Sequence, residues 1–244
     1  MRCGARPSIA ALTVVAALVA APAAGADASR SAGQPPEAIP PYERLSALWW
    51  QAALSIPRAD NPLLEEGRAN CGLGQGRVRF LFGTFTSTTG PTGDVVATAT
   101  RRCSIRQGTL LFLPALNGEC STAEANGTTE AELRACATGL IDPVDPAALT
   151  LTVDGVSLPT YRVASRLFEA ALPPENVLGV PAQTSGAVSD GYWALLAPLR
   201  RGKHVVTFGG SVRLTETTSF TTRVTYTIKV RRHRRADPGG PAPG

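Results

Sequence analysis

The chain has 244 residues, 43% of them hydrophobic and 18% charged, with 24 Gly and 20 Pro. That apolar content excludes a disordered polyelectrolyte, and that much Gly and Pro excludes a coiled coil or a bundle of long helices. Lys and Arg outnumber Asp and Glu by 24 to 19, a net charge of +5 that raises nucleic acid as a partner to be tested against the rest of the sequence.

The first residues address the compartment. Arg2 and Arg6 precede an apolar run at 9–21, and Ala24-Gly25-Ala26 then fits an A-x-A cleavage site. This order predicts a secretory signal peptide over 1–26, with the general secretory route favoured because no Arg-Arg pair precedes the run. Cys3 lies ahead of the run and does not read as a lipid-anchor cysteine. No later segment has the length of a transmembrane helix. The expected product is secreted or held in the cell envelope, and the dominance of Arg over Lys suggests GC-rich coding and a bacterial source.

Residues 27–41 read as a flexible proline-rich leader, and 42–230 as one disulfide-bonded domain. Tyr42, Leu45, Leu48, Trp49, Ala52 and Ala53 recur at helical spacing until Pro57, predicting an amphipathic helix. The period then becomes two. Val78, Phe80 and Phe82 alternate with Arg77, Arg79 and Leu81, and 95–105 and 109–116 are further strand candidates. Thr129 with Glu132 is a capping-box spacing, predicting a short helix over 131–138 with Gly139 as its stop. Leu149, Leu151 and Val153 lead to Asp154-Gly155, a hairpin turn signal. Strands are predicted at 192–199 and 204–208, and the last, over 220–230, alternates most clearly. Short strands between Gly and Pro turns predict a mainly β fold: an antiparallel β-sandwich, immunoglobulin-like or jelly-roll-like, with the N-terminal helix and the short helical insertion. A basic Pro/Gly-rich tail, disordered in this reading, follows at 231–244.

Without the signal peptide four cysteines remain, an even number suited to an oxidising compartment. Cys71, Cys103, Cys120 and Cys136 allow three pairings. The sequential one, Cys71–Cys103 with Cys120–Cys136, is preferred, each bridge contributing about 3–4 kcal/mol in the chain-entropy account. No CxxC pair and no neighbouring His supports zinc, and no metal or cofactor is expected.

The order Trp49-Trp50, Asn61-Pro62, Cys71, RVRFLFGT, Arg102-Cys103, TLLFLPALN and Cys120 resembles an uncharacterised family of bacterial secreted proteins. The stretch SDGYWALLAPLRRGKHVVTFGGS resembles the closing strands of immunoglobulin-like bacterial modules, through its Asp-Gly-Tyr corner and its Gly-x-His entry to the last hairpin. The first resemblance implies no activity. The second implies a fold and leaves function open.

Catalytic signals are sparse. The two histidines are His204, at a strand start, and His233, inside RRHRR. No G-x-S-x-G, HExxH, P-loop or GxGxxG is present, and Gly72-Leu73-Gly74-Gln75-Gly76 precedes a strand where a phosphate cradle would open a helix. A structural hydrogen bond is the preferred role of His204. Paired carboxylates could still serve a carbohydrate-active hydrolase, with Glu119, Asp142, Asp145, Asp154 and Asp190 as candidates, yet each has a turn or loop role as the simpler reading. Glu119 beside Asn117 could serve calcium, with a solvated loop carboxylate preferred. Asn126-Gly127-Thr128 matches a glycosylation acceptor in a host with that machinery. Trp50 and Trp193 are tentative ligand contacts, one aromatic of each adjacent pair turning outward, though packing is the simpler role.

The basic charge localises to the ends. Cleavage after Ala26 leaves 22 basic against 19 acidic residues, and setting aside 229–244 leaves 17 against 18. Nucleic acid is therefore disfavoured for an exported chain with no base-reading motif. The reading is a non-catalytic cell-envelope or extracellular binding module, its partner a cell-wall polymer or an envelope protein. The alternatives are the hydrolase and a purely structural or interaction protein.

Overall fold

The computed structural model describes residues 40–232. The expected signal peptide, residues 27–39 of the leader, and the tail from 233 with His233 lie outside the described residues. Helix α1 (Tyr42–Leu54) starts just after Pro41, whose carbonyl accepts from the N–H groups of Arg44 and Leu45 at 3.0 Å each. Proline loses nothing there, because N–H groups at a helix start have no partner within the helix. Leu45, Trp49 and Ala53 recur along one stripe of α1, which Trp50 and Leu54 widen, and all five are buried.

The strands follow in order: β1 (Gly67–Arg68), β2 (Gly74–Gln75), β3 (Val78–Phe80), β4 (Ser87–Thr89), β5 (Val95–Arg106) and β6 (Leu110–Ser121). Helix α2 (Glu130–Ile141) comes next, then β7 (Thr150–Val153), β8 (Val156–Ser157), β9 (Tyr161–Arg162) and β10 (Phe168–Leu172). The chain closes with β11 (Gln183–Leu196), β12 (Gly202–Arg213) and β13 (Ser219–Arg231). They form two mixed sheets. A six-stranded one has the order β10-β11-β6-β3-β2 with β9 also on β11, and a seven-stranded one the order β1-β5-β13-β12-β7-β8 with β4 also on β5.

The six-stranded sheet is the middle layer. On one face Val78, Phe80, Phe112 and Trp193 meet Leu45 and Trp49 of α1. On the other, Leu111, Leu113 and Leu196 share a core with Val206, Phe208 and Ile228 of the seven-stranded sheet. Strand β6 is thus buried on both sides, which explains its continuous apolar run TLLFLPAL. Strand β5, by contrast, alternates buried and exposed residues, so the far face of the seven-stranded sheet is open to solvent.

Several expectations need correction. The sheets are not antiparallel throughout: β13 runs parallel to β5, as do β1 to β5 and β3 to β6. Periodicity reports which face of a strand is buried and carries no information on the direction of a neighbour far away in sequence. Helix α2 passes through Gly139 and ends at Ile141, which is buried. Its start matches the capping box, with Thr129 Oγ1 accepting from Glu132 N–H and Glu132 Oε2 accepting from Thr129 N–H. Strand β11 begins at Gln183 rather than 192, because pairing on both sides holds the weak strand formers Ser185, Gly186 and Ser189. Strand β12 runs on through Gly209-Gly210 to Arg213. A Cβ at Gly209 would stand 2.0 Å from the Thr222 carbonyl oxygen, so the glycine that disguises the strand is required by the close approach of β13.

Candidate functional site

The tentative ligand contacts Trp50 and Trp193 are core residues, 3% and 0% exposed, and this corrects their proposed outward orientation. Trp193 stacks on Phe112 with ring centroids 5.0 Å apart and 7° between planes, and Trp49 meets Trp50 edge-on at 5.0 Å. Layering α1 over the middle sheet buries both members of the Trp49-Trp50 pair, because that helix face is broad enough to seat adjacent residues. No aromatic platform is left for a sugar by either tryptophan.

Asp142, Asp145, Asp154 and Asp190 are engaged in structural roles, whereas Glu119 Oε2 is buried without a hydrogen-bond partner. Asp190 and Asp142 both hold Arg162, each oxygen 2.7 Å from Nη2. Asp145 caps a short 3₁₀ turn by accepting from Ala147 N–H at 2.9 Å. Glu119 is desolvated and stands beside Glu124, and both effects push its carboxyl up to about 9, so it is neutral at neutral pH. A neutral carboxyl is a poor calcium ligand, and the one close pair among these acids, Asp142 with Asp190, is bridged by Arg162.

His204 is also a structural residue. Asp154 and Gly155 adopt the positive-φ pair of a type I′ turn, at 52° and 83°. Asp154 Oδ1 accepts from Val205 N–H at 2.8 Å and Oδ2 lies 2.7 Å from His204 Nδ1, while His204 Nε2 lies 2.8 Å from the Arg200 carbonyl oxygen. Both partners of the ring can only accept, which favours the doubly protonated imidazolium and raises its pKa above the ordinary 6.5, led by the Asp154 hydrogen bond. The stability it adds is therefore full below 6.5 and is lost as pH rises through the raised folded value. Asp154 is held below its ordinary 3.8, so its share persists until strongly acid pH. With Asp154 half exposed, the pair is expected to contribute under about 1 kcal/mol. Thermal melts of His204→Gln should show a deficit against the parent below pH 6.5 that shrinks at alkaline pH; a deficit independent of pH would remove the imidazolium from the account.

The two disulfides are Cys71–Cys103 and Cys120–Cys136, with Cα atoms 6.0 and 6.1 Å apart. The second ties β6 to α2. The first joins the loop after β1 to β5 and lies in the wall of an open groove of about 1050 Å³. Six exposed cations line it: Arg68, Arg102, Arg201, Lys203, Lys229 and Arg231. No carboxylate lines the groove, and none of the six makes an ion pair among the described residues.

Sheet register concentrates this charge. Lys203 stands directly opposite Lys229, Arg68 beside Arg102, and Arg106 beside Arg231, all on the open face of the seven-stranded sheet. Like charges directly opposite each other on one face are destabilising, by about 0.2–1 kcal/mol per pair. Of these residues only Lys229 and Arg231 belong to the basic run seen in the sequence. The RRCSIR stretch carried a signal, since alternation puts Arg102, Ser104 and Arg106 on one face, but the near-zero charge of the body masked it.

No protein-family model and no curated protein matches the chain. Among solved structures, amebosin is similar at 9% identity with a TM-score of 0.16, over 55% of this chain and 97% of that one. PbICP-C, solved in complex with falcipain-2, is similar at 8% identity with a TM-score of 0.21, over 64% of this chain and 100% of that one. Likeness at this level carries no argument about fold or function.

Proposed function

We propose that the chain is an exported, non-catalytic binding module of the bacterial cell envelope, and that it holds an anionic partner in the cationic groove around Cys71–Cys103. The observation that carries the reading is the two like-charged cross-strand pairs within the groove, Arg68 with Arg102 and Lys203 with Lys229, with a third, Arg106 with Arg231, at its end and no carboxylate among its lining residues. Such a surface works against the fold unless something negative covers it. Two disulfides suit an oxidising compartment, and among the described residues no helix is long and apolar enough to cross a membrane. Two sheets sharing one core support a β-sandwich-like body; an immunoglobulin-like or jelly-roll-like order would have to accommodate the parallel pairing of β5 with β13.

Isolated bacterial cell walls are expected to sediment the mature protein at low salt and release it as salt rises, with Lys203→Glu/Lys229→Glu left in the supernatant. Binding indifferent to both salt and the charge reversal would sink the groove reading. Reducing sugar released by the parent and abolished by a single Asp or Glu substitution would instead establish the hydrolase. A second reading, an envelope-protein partner, is favoured by exposed Val156 and Tyr161 beside a cavity of about 520 Å³. It would come forward if walls stripped of protein failed to bind while untreated walls did.

A further inference from the structure

The groove is not a simple basic patch, because its cations are ordered by the sheet. Strand β5 lies parallel to β13 with Arg102 beside Thr227, Ser104 beside Lys229 and Arg106 beside Arg231. Lys203 of β12 extends the middle row and Arg68 of β1 the first. Rows two residues apart are spaced by about 6.6 Å, so the three span about 13 Å along the strands. One phosphate ion can satisfy one row. It cannot span all three.

The chemistry of the lining narrows the ligand further. Four of its six cations are arginines, whose planar fork matches two phosphate oxygens at once. Ser104 and Thr227 add hydroxyl donors between the charges. No aromatic side chain lines the groove, so nothing there offers a stacking face to a nucleobase or a sugar ring. The recognisable part of the ligand is its repeating charge.

We infer that the groove takes a linear, phosphate-bearing polymer without bases, laid along β5 and β13 so that successive phosphates meet successive cation rows. This rests on the proposed binding-module function and specifies its ligand class. The bound polymer places negative charge between Arg106 and Arg231, and between Lys203 and Lys229, turning each mutual repulsion into a shared attraction.

Titration of the full mature protein with inorganic phosphate and with short and long linear polyphosphate tests this. Affinity is expected to rise with chain length, long polyphosphate binding at least about tenfold tighter per phosphate than the free ion. If the six cations of the three rows engage (Arg68, Arg102, Lys203, Lys229, Arg106 and Arg231), log K should fall against log salt with a slope of about −4, at about 0.7 per contact as for a flexible single strand. Lys229→Gln should lower that slope by about 0.7 and weaken binding several-fold. Because it removes a like-charge pair, it should also leave the thermal midpoint of the free protein unchanged or raised. A general structural defect would lower it.

Inorganic phosphate matching polyphosphate at equal phosphate and ionic strength would overturn the polymer inference. Phosphatidylglycerol vesicles displacing long polyphosphate at equal phosphate would overturn it in favour of a membrane surface. Salt-dependent binding to cell walls without binding to polyphosphate would remove the phosphate assignment and keep the binding module. Failure to bind either would remove both.

Discussion

Replacing Trp193 by alanine should destabilise the protein by about 3–5 kcal/mol, a large part of the 5–15 kcal/mol typical of a whole domain. The side chain is fully buried, lies face to face with Phe112 and meets Trp49 edge-on at 5.6 Å. Trp49 in turn donates from Nε1 to the Leu81 carbonyl at 2.9 Å, so a cavity at Trp193 loosens α1 and the segment after β3 together. The cavity would open beside a bulge, since β6 shifts register at this point, Trp193 pairing with Pro114 and Tyr192 with Leu116. Trp193→Phe should cost much less. It keeps most of the stacking and removes an indole N–H that is buried without a partner. Urea midpoints for the two variants measure this; a phenylalanine variant as unstable as the alanine one would show that the N–H has an unseen role.

Arg101→Ala is expected to cost about 3–4 kcal/mol, for a different reason. Arg101 is 1% exposed and faces the core between the sheets, with no carboxylate to pair with among the described residues. Its Nε donates to the Glu65 carbonyl at 2.8 Å, and its Nη1 donates to the Phe82 carbonyl and the Tyr226 hydroxyl at 2.8 Å each. The guanidinium carbon also lies 5.5 Å from the centre of the Tyr226 ring. The arginine substitutes for a strand at Phe82: Leu81 N–H still bonds the Phe112 carbonyl of β6, but the Phe82 carbonyl and N–H are met by the Arg101 and Tyr226 side chains. Alanine leaves the Glu65 carbonyl without that donor. Lysine, lacking the fork, should rescue little of the loss. Tyr226→Phe removes the hydroxyl that accepts from Phe82 N–H at 3.1 Å, and the double variant should fall short of the sum of the singles by about 0.5–3 kcal/mol. Strict additivity in urea titrations would mean that the two residues act separately.

Legibility in the sequence followed the range of the interaction. Local signals held: Thr129 and Glu132 cap α2, Asp154-Gly155 makes its turn, and β13 keeps its alternation. The cysteines paired in sequence order. What lay beyond local pattern was hidden for identifiable reasons. Ser185, Gly186 and Ser189 are strand residues only because β10 and β6 flank them. Adjacent aromatics diverge around an isolated element, which makes Trp50 and Trp193 candidates for exposure, whereas here a second layer covers each. The groove depended on register most of all. Lys203 and Lys229 become neighbours, as do Arg68 and Arg102, only once strand pairing is known. A net charge close to zero is blind to such segregation.

The position of β13 between β5 and β12 sets the order in which the molecule can be completed. The last described strand sits inside its sheet, with residues 95–106 paired along one side and 202–213 along the other. Until the final stretch is available, β5 has no partner along that whole edge, and closing the pair brings together segments more than a hundred residues apart. Such non-local pairing makes for slow folding. A fold whose keystone strand comes this late in the described residues keeps the edge of β5 open until that strand has been made.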